Sequence, residues 1–290
     1  MSYLRRLCSS FDPVASINSG QVFLWEKHSN SWYGIDGDHV IKFTQSDGYV
    51  EFFSFPEDKL SDQRIFRLDD NINEIIQDIS HDPLVSRLAK AYPGLRLIRQ
   101  DPHQCLFSFV CATNTNIPMI RRMLYNIARK FGRSSKIDGM EFFTFPSALD
   151  IKRATVNELR ECGLGYRTKA IKAVADAITN GILDFDSLKK TNYHESRKEL
   201  LKIYGIGNKI ADCVLLFSLE KLGSFPIDVW ITRALANHYS WLHKSKISNK
   251  IHPNQYLQLS EEARKYFGKY AGYAQQYLYY YMRQEAGKKW

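Results

Sequence analysis

The chain has 290 residues, of which 44% are hydrophobic and 24% charged, a composition typical of a soluble globular protein with about two domains. No run approaches the roughly 18 apolar residues of a membrane span, and the N-terminus has no apolar signal core, so we predict an intracellular protein. Forty Lys and Arg residues against 31 Asp and Glu give a net charge of +9, which favours a polyanionic partner.

The first part of the chain predicts an antiparallel sheet. From Gly20 to about Phe55, the β-branched and aromatic runs QVFLW, SWYGI, HVIKFTQ and YVEFFSF alternate with the turn clusters HSNS, DGD and SDG. This alternation is typical of a β-meander. We assign residues 1–100 to an N-terminal antiparallel sheet domain with flanking helices.

After Pro56 the apolar residues change to helical spacing. Segments such as PLVSRLAKAY, IPMIRRMLYNIARKFG and NKIADCVLLFSLEKLG repeat apolar residues every three or four positions. We therefore predict an α+β protein in which a mostly α-helical domain, residues 101–290, follows the sheet domain.

The number and spacing of the cysteines argue against two kinds of stabilising site. The chain has five cysteines without a CxxC pair, which argues against a disulfide framework and against a four-cysteine metal site. We expect reduced thiols and no metal centre.

A tight connection between two predicted helices carries the most informative motif. The helix ESRKELLKIY is followed by Gly205-Ile206-Gly207, and the next helix is predicted to begin with Asn208 as its N-cap. We place this helix-hairpin-helix at residues 195–219. Two glycines allow a close ligand approach, and the backbone N–H groups that follow suit a phosphate. A plain tight turn between helices would have the same glycines.

Two charged residues follow the hairpin. Lys209 stands in the first turn of the second helix, where the helix dipole disfavours a second positive charge. A neutral lysine amine attacks carbon electrophiles and can form a Schiff base, although Lys209 could equally contact a phosphate. Asp228 lies nineteen residues later in FPIDVW, just before the next helix, where an aspartate is usually an N-cap.

The combined pattern resembles a known family. YGIG, the lysine, ADC and the aspartate of PIDVW are similar to the helix-hairpin-helix DNA glycosylase superfamily, and more narrowly to the 8-oxoguanine DNA glycosylases. The segments SGQVFLW, CATNTNI, CGLGYRTKAI and YAGYAQQYLY match that family in the expected order, so the resemblance covers most of the chain. It implies a monomeric, DNA-associated enzyme that excises 8-oxoguanine from double-stranded DNA and nicks the strand as an AP lyase.

The resemblance assigns the chemistry to Lys209 and Asp228. A base must leave the duplex before a nucleophile can reach it. Lys209 would then attack C1′ and displace the base, while Asp228 would stabilise the positive charge that develops on the sugar. No cofactor is required, and the hairpin carbonyls are candidate ligands for a monovalent cation.

Four residues are implied to bind the lesion base. 8-Oxoguanine carries a hydrogen on N7 that guanine lacks, and the carbonyl of Gly20 would accept it. Cys213 and Tyr279 would flank the base, and Gln275 would pair with its Watson–Crick edge. Tyr279 stands where the family often has phenylalanine.

Other residues are implied to hold the rest of the duplex. Asn114 would take the place of the flipped base, Tyr166 would wedge at the orphaned partner and Arg167 would hydrogen-bond it. Gly205 and Gly207 would bind the DNA backbone. Without the resemblance, the simpler interpretations are a loop asparagine and a solvated arginine.

Met119 departs from the family pattern. Many members have an arginine five residues after the asparagine that matches Asn114, where it contacts the partner cytosine. Methionine has almost no hydrogen-bonding capacity, so Arg167 would be the main polar reader and cytosine would be distinguished less sharply. Alternatively, Met119 is a core residue and Arg121 or Arg122 reaches the base.

Two other functions stay open on the sequence alone. A noncatalytic DNA-binding module would use Lys209 only for a phosphate. A related glycosylase would excise another damaged purine, for instance an alkylated one.

Overall fold

A five-stranded antiparallel sheet forms the N-terminal part of the protein. The structure is a computed structural model that describes residues 4–7, 11–46, 48–58, 61–242 and 252–287. The strands are β1 (Leu4–Leu7), β2 (Trp25–His28), β3 (Ser31–Asp36), β4 (His39–Ser46) and β5 (Tyr49–Phe55), and helix α1 (Pro13–Ile17) lies between the first two. Their order in the sheet is β1-β5-β4-β3-β2, so the meander is continuous from β2 to β5 and β1 adds to its edge. The first strand of the meander is shifted from the predicted run QVFLW, since β2 begins only at its last residue, Trp25.

Alternating side chains give the sheet its own core. In β5, Val50 and Phe52 are buried while their neighbours are partly exposed, and Phe52 pairs with Phe43 of β4. Phe43 and Phe52 pack against Phe66, with ring centroids 6.1 and 5.4 Å apart. Burial of each such aromatic side chain contributes roughly 2–3 kcal/mol, so this cluster fixes the first helix after the sheet against one sheet face.

The rest of the chain is mostly helical. The helices are α2 (Ser61–Phe66), α3 (Ile72–Ile79), α4 (Pro83–Ala91), α5 (Pro102–Cys111), α6 (Ile117–Phe131), α7 (Ala148–Arg153), α8 (Val156–Glu161), α9 (Thr168–Thr179), α10 (Phe185–Lys190), α11 (Tyr193–Leu201), α12 (Asn208–Ser218), α13 (Val229–His238), α14 (Pro253–Phe267) and α15 (Ala271–Glu285). A small hairpin, β6 (Ser134–Ile137) and β7 (Met140–Phe143), follows α6. Among the described residues, no helix is both long and apolar enough to cross a membrane. The predicted α+β fold class is confirmed.

Local sequence fixes where several helices begin. Asp82, Asp101 and Asn116 precede α4, α5 and α6, and each side chain accepts a hydrogen bond from the backbone N–H three residues later, at 2.8 to 3.0 Å. A proline in the first turn of each helix has no N–H to leave unpaired. The Asn116 cap fixes the residue at which α6 begins, and it therefore restricts the position of the Asn114 loop that precedes this helix.

The sheet and the helices share a second core. Phe23 packs edge-on against Phe109 of α5, with centroids 5.8 Å apart, and Gln276 of α15 donates to the backbone oxygen of Ser19 at 2.6 Å. These contacts bring the loop around Gly20 against the helices. The division after residue 100 stays a prediction.

Candidate active site

A cleft of about 1140 Å³ lies between the Gly20 loop, the Asn114 loop and helices α12, α13 and α15. It is lined by nine of the eleven predicted site residues, namely Gly20, Asn114, Gly205, Gly207, Lys209, Cys213, Asp228, Gln275 and Tyr279. Tyr166 and Arg167 lie beside the Asn114 loop. The structure therefore brings together residues that are up to 259 positions apart in the sequence, from Gly20 to Tyr279.

The hairpin joins α11 to α12 and opens toward the cleft. Gly205 has φ +89, and a Cβ there would lie 2.3 Å from the Cβ of Ala170 in α9, so only glycine fits. The predicted N-cap is wrong by one residue: Gly207 occupies that position, and the Asn208 side chain instead accepts a hydrogen bond from Arg197 at 2.9 Å. Because glycine has no side chain to cap the helix, the first N–H groups of α12 are left for an external anion.

Lys209 lies in the first turn of α12, partly buried. Its amine is 5.1 Å from the ring centroid of Phe109, which itself stacks on Phe217 at 5.6 Å. A cation over an aromatic ring is attracted by the ring's electrons, so this contact holds the amine in the cleft. Sequence reasoning missed Phe109, because α5 is buried on nearly every side and no period singles out one residue.

Asp228 is the N-cap of α13 and also lines the cleft. Its Oδ1 accepts hydrogen bonds from the backbone N–H groups of Trp230 and Ile231, both at 2.9 Å. Burial raises the pKa of the Asp228 carboxyl above its ordinary value, while the charge of Lys209 and these two hydrogen bonds lower it. The carboxylate thus caps α13, and it also lies within the electrostatic influence of Lys209.

The backbone at Gly20 is fixed from several directions. Gly20 has φ +79, a conformation that glycine adopts without strain. The neighbouring Ser19 accepts hydrogen bonds from Gln276 on its backbone oxygen and, at 2.7 Å, from Gln21 on its hydroxyl. Gln21 in turn accepts from the backbone N–H of Ile98 at 2.7 Å. A preorganised carbonyl at Gly20 would therefore cost little entropy when a ligand binds.

Gln275 provides a polar atom with unused bonding capacity. The side chain is only 5% exposed, and its Oε1 has no hydrogen-bond partner among the described residues. Leaving a buried acceptor unpaired costs about 1–3 kcal/mol, so a donor on a bound ligand would recover that energy.

Cys213 and Tyr279 are uncharged groups in the same cleft. Burial raises the pKa of the Cys213 thiol to about 12 and also raises the pKa of the Tyr279 hydroxyl. The neighbouring Arg283 partly offsets this rise in the pKa of Tyr279. Neutral sulfur and aromatic groups suit the faces of a planar base.

The Asn114 loop carries the remaining predicted residues. Asn114 has φ +47, and the carbonyl of the preceding Thr113 accepts hydrogen bonds from the Tyr166 hydroxyl, at 3.0 Å, and from Arg167. The Arg167 guanidinium stacks 4.5 Å from the Tyr166 ring centroid. Arg167 is only 9% exposed, so the interpretation as a solvated arginine is wrong, whereas Tyr166 is 65% exposed and can reach a partner.

Met119 lies on the surface near this loop. It is 41% exposed, so the interpretation as a core residue is wrong. Arg121, two residues later on α6, lines the cleft. The described part of the chain contains no cluster of three or more His, Cys, Asp or Glu side chains that could hold a metal ion.

Known protein families match the chain from residue 6 to residue 254. Residues 6–106 match the family model of the 8-oxoguanine DNA glycosylase N-terminal domain, and residues 107–254 match that of the HhH-GPD superfamily base excision DNA repair proteins. The N-glycosylase/DNA lyase OGG1 of Arabidopsis thaliana is 30% identical over 274 residues, which are 90% of this chain and 74% of that protein.

Two further proteins are similar to this chain. The Clostridium acetobutylicum 8-oxoguanine glycosylase/lyase, in a crystal structure with double-stranded DNA containing cytosine opposite 8-oxoguanine, has a TM-score of 0.87 at 30% identity, over 96% of this chain and 93% of that one. A DNA-3-methyladenine glycosylase of Bacillus subtilis is 28% identical over 165 residues, 56% of this chain and 54% of that protein.

Proposed function

Because the chain belongs to the HhH-GPD superfamily of base excision DNA repair proteins and carries the N-terminal domain of the 8-oxoguanine DNA glycosylases, we propose that Lys209 is the nucleophile of its reaction. The protein is a DNA N-glycosylase and AP lyase that excises 8-oxoguanine from duplex DNA. The observation that carries the assignment is the single amine of Lys209, held over Phe109 in the cleft that Asp228 also lines.

Lesion recognition follows from the groups around the cleft. The flipped base would enter between Cys213 and Tyr279, and unpaired Oε1 of Gln275 would accept a hydrogen bond from its Watson–Crick edge. The fixed carbonyl of Gly20 would accept the N7 hydrogen of 8-oxoguanine. Guanine has a lone pair at N7, so it would meet repulsion there instead.

The chemistry proceeds in two steps on the protein's own groups. The Lys209 amine forms a bond to C1′ as the bond from C1′ to N9 breaks, and the base leaves with the electron pair and takes up a proton. The carboxylate of Asp228 stabilises the positive charge on the sugar as it develops. The sugar ring opens to a Schiff base on Lys209, and loss of a C2′ proton then expels the 3′ phosphate and nicks the strand.

The duplex would be held by three other groups of residues. Asn114 would fill the space of the flipped base, and Tyr166 and Arg167 would contact its orphaned partner. The N–H groups after Gly205 and Gly207 would hold a phosphate, with the hairpin carbonyls as candidate ligands for a monovalent cation. We propose that the enzyme acts as a monomer, as the resemblance to the 8-oxoguanine DNA glycosylases implies.

Replacement of the amine tests the proposal. Lys209→Gln should abolish base release and borohydride trapping of the enzyme on DNA while duplex binding is retained, because many other cationic groups remain. The matched control is Lys169→Gln: this lysine of α9 lies 4.5 Å from the Tyr204 ring near the hairpin, and its loss should weaken binding without abolishing trapping. Trapping by the Lys209 variant would place the nucleophile elsewhere.

A panel of lesion duplexes separates the alternatives. The similarity to a DNA-3-methyladenine glycosylase makes an alkylated purine the second candidate substrate. We expect faster release of 8-oxoguanine than of 3-methyladenine, since only the oxidised base offers an N7 hydrogen to Gly20. A wild-type protein that binds duplexes but neither releases a base nor traps would be a noncatalytic module.

A further inference from the structure

One face of α14 binds the extended segment that leads to Asp228. Three side chains of α14, spaced four residues apart, each form a hydrogen bond with one backbone group of residues 223–227. We call these three side chains the α14 stripe. The pairs are Tyr256 with the N–H of Ile227 at 3.2 Å, Ser260 with the oxygen of Phe225 at 3.3 Å and Arg264 with the oxygen of Gly223 at 2.9 Å. Bonds to alternate residues hold the segment in one register along the helix.

The first member of the stripe also reaches the helix that carries Lys209. The Tyr256 hydroxyl donates to Oδ2 of Asp212 at 2.7 Å. Asp212 lies on α12 one turn after Lys209 and is fully buried, as is nearly all of Tyr256. A single hydroxyl group therefore joins the helix of Lys209 to the residue immediately before Asp228.

We infer that Tyr256 is a positioning residue for base excision: its hydroxyl sets the Asp228 carboxylate against the Lys209 amine. The inference rests on the roles proposed above for these two residues. Tyr256 is not among the residues that line the cleft, so it acts through its neighbours. Without the hydroxyl, the Ile227 N–H loses its acceptor and the end of the segment next to Asp228 loses its bond to α12, whereas the other end stays tied to α12 by the Ser224 hydroxyl, which donates to the Asp212 backbone oxygen at 2.9 Å. Small displacements of this kind slow enzymatic reactions by up to about a hundredfold.

The chain offers a matched control on the same carboxylate. The hydroxyl of Tyr193, on α11, donates to the other oxygen of Asp212, also at 2.7 Å. Tyr193→Phe therefore removes an equally short hydrogen bond from Asp212 but leaves the bond to Ile227 in place. A difference between the two phenylalanine variants isolates the link to the Asp228 segment.

The test measures two reactions of each variant. Base release from an 8-oxoguanine duplex is followed under single-turnover conditions, and borohydride trapping is followed on a duplex with a preformed abasic site. Tyr256→Phe should slow base release by about 10- to 100-fold with unchanged duplex affinity. Trapping at the abasic site should fall less, since no glycosidic bond breaks there. Tyr193→Phe should keep base release within about threefold of wild type.

Two results would overturn the inference. The first is that Tyr256→Phe and Tyr193→Phe lose base release to the same extent. The second is that Tyr256→Phe loses base release and abasic-site trapping to the same extent, as expected of an enzyme that is merely less stable. If Tyr256→Phe does not fold, Ser260→Ala replaces it as the test. This change removes a hydrogen bond to the same segment without altering a contact of Asp212, so it should slow base release. Base release at the wild-type rate in Ser260→Ala would refute the positioning role.

A failure of the role inferred for Tyr256 can be distinguished from a failure of the role proposed for Lys209. If Lys209→Gln still traps, the proposed nucleophile is wrong whatever the tyrosine variants do. If trapping requires Lys209 but the two phenylalanine variants behave alike, only the role of Tyr256 fails.

Discussion

The Asp228 carboxylate caps α13 and lines the cleft that also holds Lys209, where we propose that it stabilises positive charge on the sugar, and asparagine can separate these two tasks. An asparagine oxygen caps a helix as well as an aspartate oxygen does, so Asp228→Asn should leave the unfolding temperature nearly unchanged. The neutral amide cannot stabilise positive charge on the sugar, so single-turnover base release should slow by about 100- to 1,000-fold. Base release at the wild-type rate would reduce Asp228 to a cap.

The acidic limb of the pH profile should report the same carboxyl. Burial raises the pKa of Asp228 above 3.8, against the opposing charge of Lys209. Base release needs the ionised form, so its rate should rise with pH through this raised pKa. In the wild-type protein, the pH at which the base-release rate rises should thus lie above the pKa range of an ordinary aspartate. The residual base release by Asp228→Asn should not show this rise.

Met119 is exposed close to the loop that is proposed to read the orphaned base. Arg167 already gives hydrogen bonds to the Thr113 carbonyl, so only its remaining N–H groups are available for the base. We expect weak preference for cytosine opposite the lesion, and a gain of about one to two decades in that preference for Met119→Arg, as one bidentate contact provides. The measurement is base release opposite C, T, G and A. Strict preference for cytosine in both proteins would exclude a role for this position.

Sequence alone indicated the residues whose chemistry is unusual for their place. Lys209 was conspicuous because a cation stands at a helix N-terminus, whereas Asp228 alone would be interpreted as an N-cap and gained a chemical role only from the family resemblance. Phe109 gave no such signal, since its contact with Lys209 depends on the packing of α5 against α12. The burial of Arg167 was equally invisible, because it depends on a carbonyl 54 residues away.

At the scale of elements, the hairpin contains two glycines with different physical requirements. Gly205 has φ +89 and a Cβ would clash with Ala170, whereas Gly207 has φ −94 and open space around a Cβ. Gly205→Ala should lower the free energy of unfolding by about 1–3 kcal/mol, and Gly207→Ala should change it by less than about 1 kcal/mol. Denaturant unfolding compares the two. Equal effects would show that the backbone conformation at Gly205 is not what requires glycine.

Helix positions were predictable from periodicity, but one helix end was not. The pattern NKIADCVLLFSLEKLG predicts a helix that continues to Gly223, yet α12 ends at Ser218. Glu220 has φ +59, a left-handed conformation that a sequence pattern assigns to glycine. Its carboxylate bonds Arg67 and Arg99 at 2.7 and 2.8 Å, and these distant partners offset the local strain.

At the scale of the whole molecule, this carboxylate ties the helical part to the chain that follows the sheet. Arg67 comes directly after α2 and is completely buried, and Arg99 precedes α5. Burial alone would raise the pKa of Glu220, but the two arginines outweigh it and hold that pKa below 4.5. The cross-link is therefore present at neutral pH and fixes the end of α12, whose other end carries Lys209.

Removal of the Glu220 charge should lower the free energy of unfolding and change how that free energy depends on pH. Glu220→Gln should lower the free energy of unfolding by about 1–2 kcal/mol at pH 7, less than a fully buried pair would lose, because the Glu220 side chain is 39% exposed to solvent. The folded pKa lies below the unfolded one, so the contribution is fully present above pH 4.5 and is lost as pH falls through the folded pKa. The wild-type and Gln proteins should thus converge in stability as the pH falls below 4.5. Urea unfolding at several pH values measures this, with Glu74→Gln at the exposed Lys269 pair as a control that should change little. A constant difference between the two proteins from pH 7 to pH 3 would show that the ionised carboxylate is not the source of the stability.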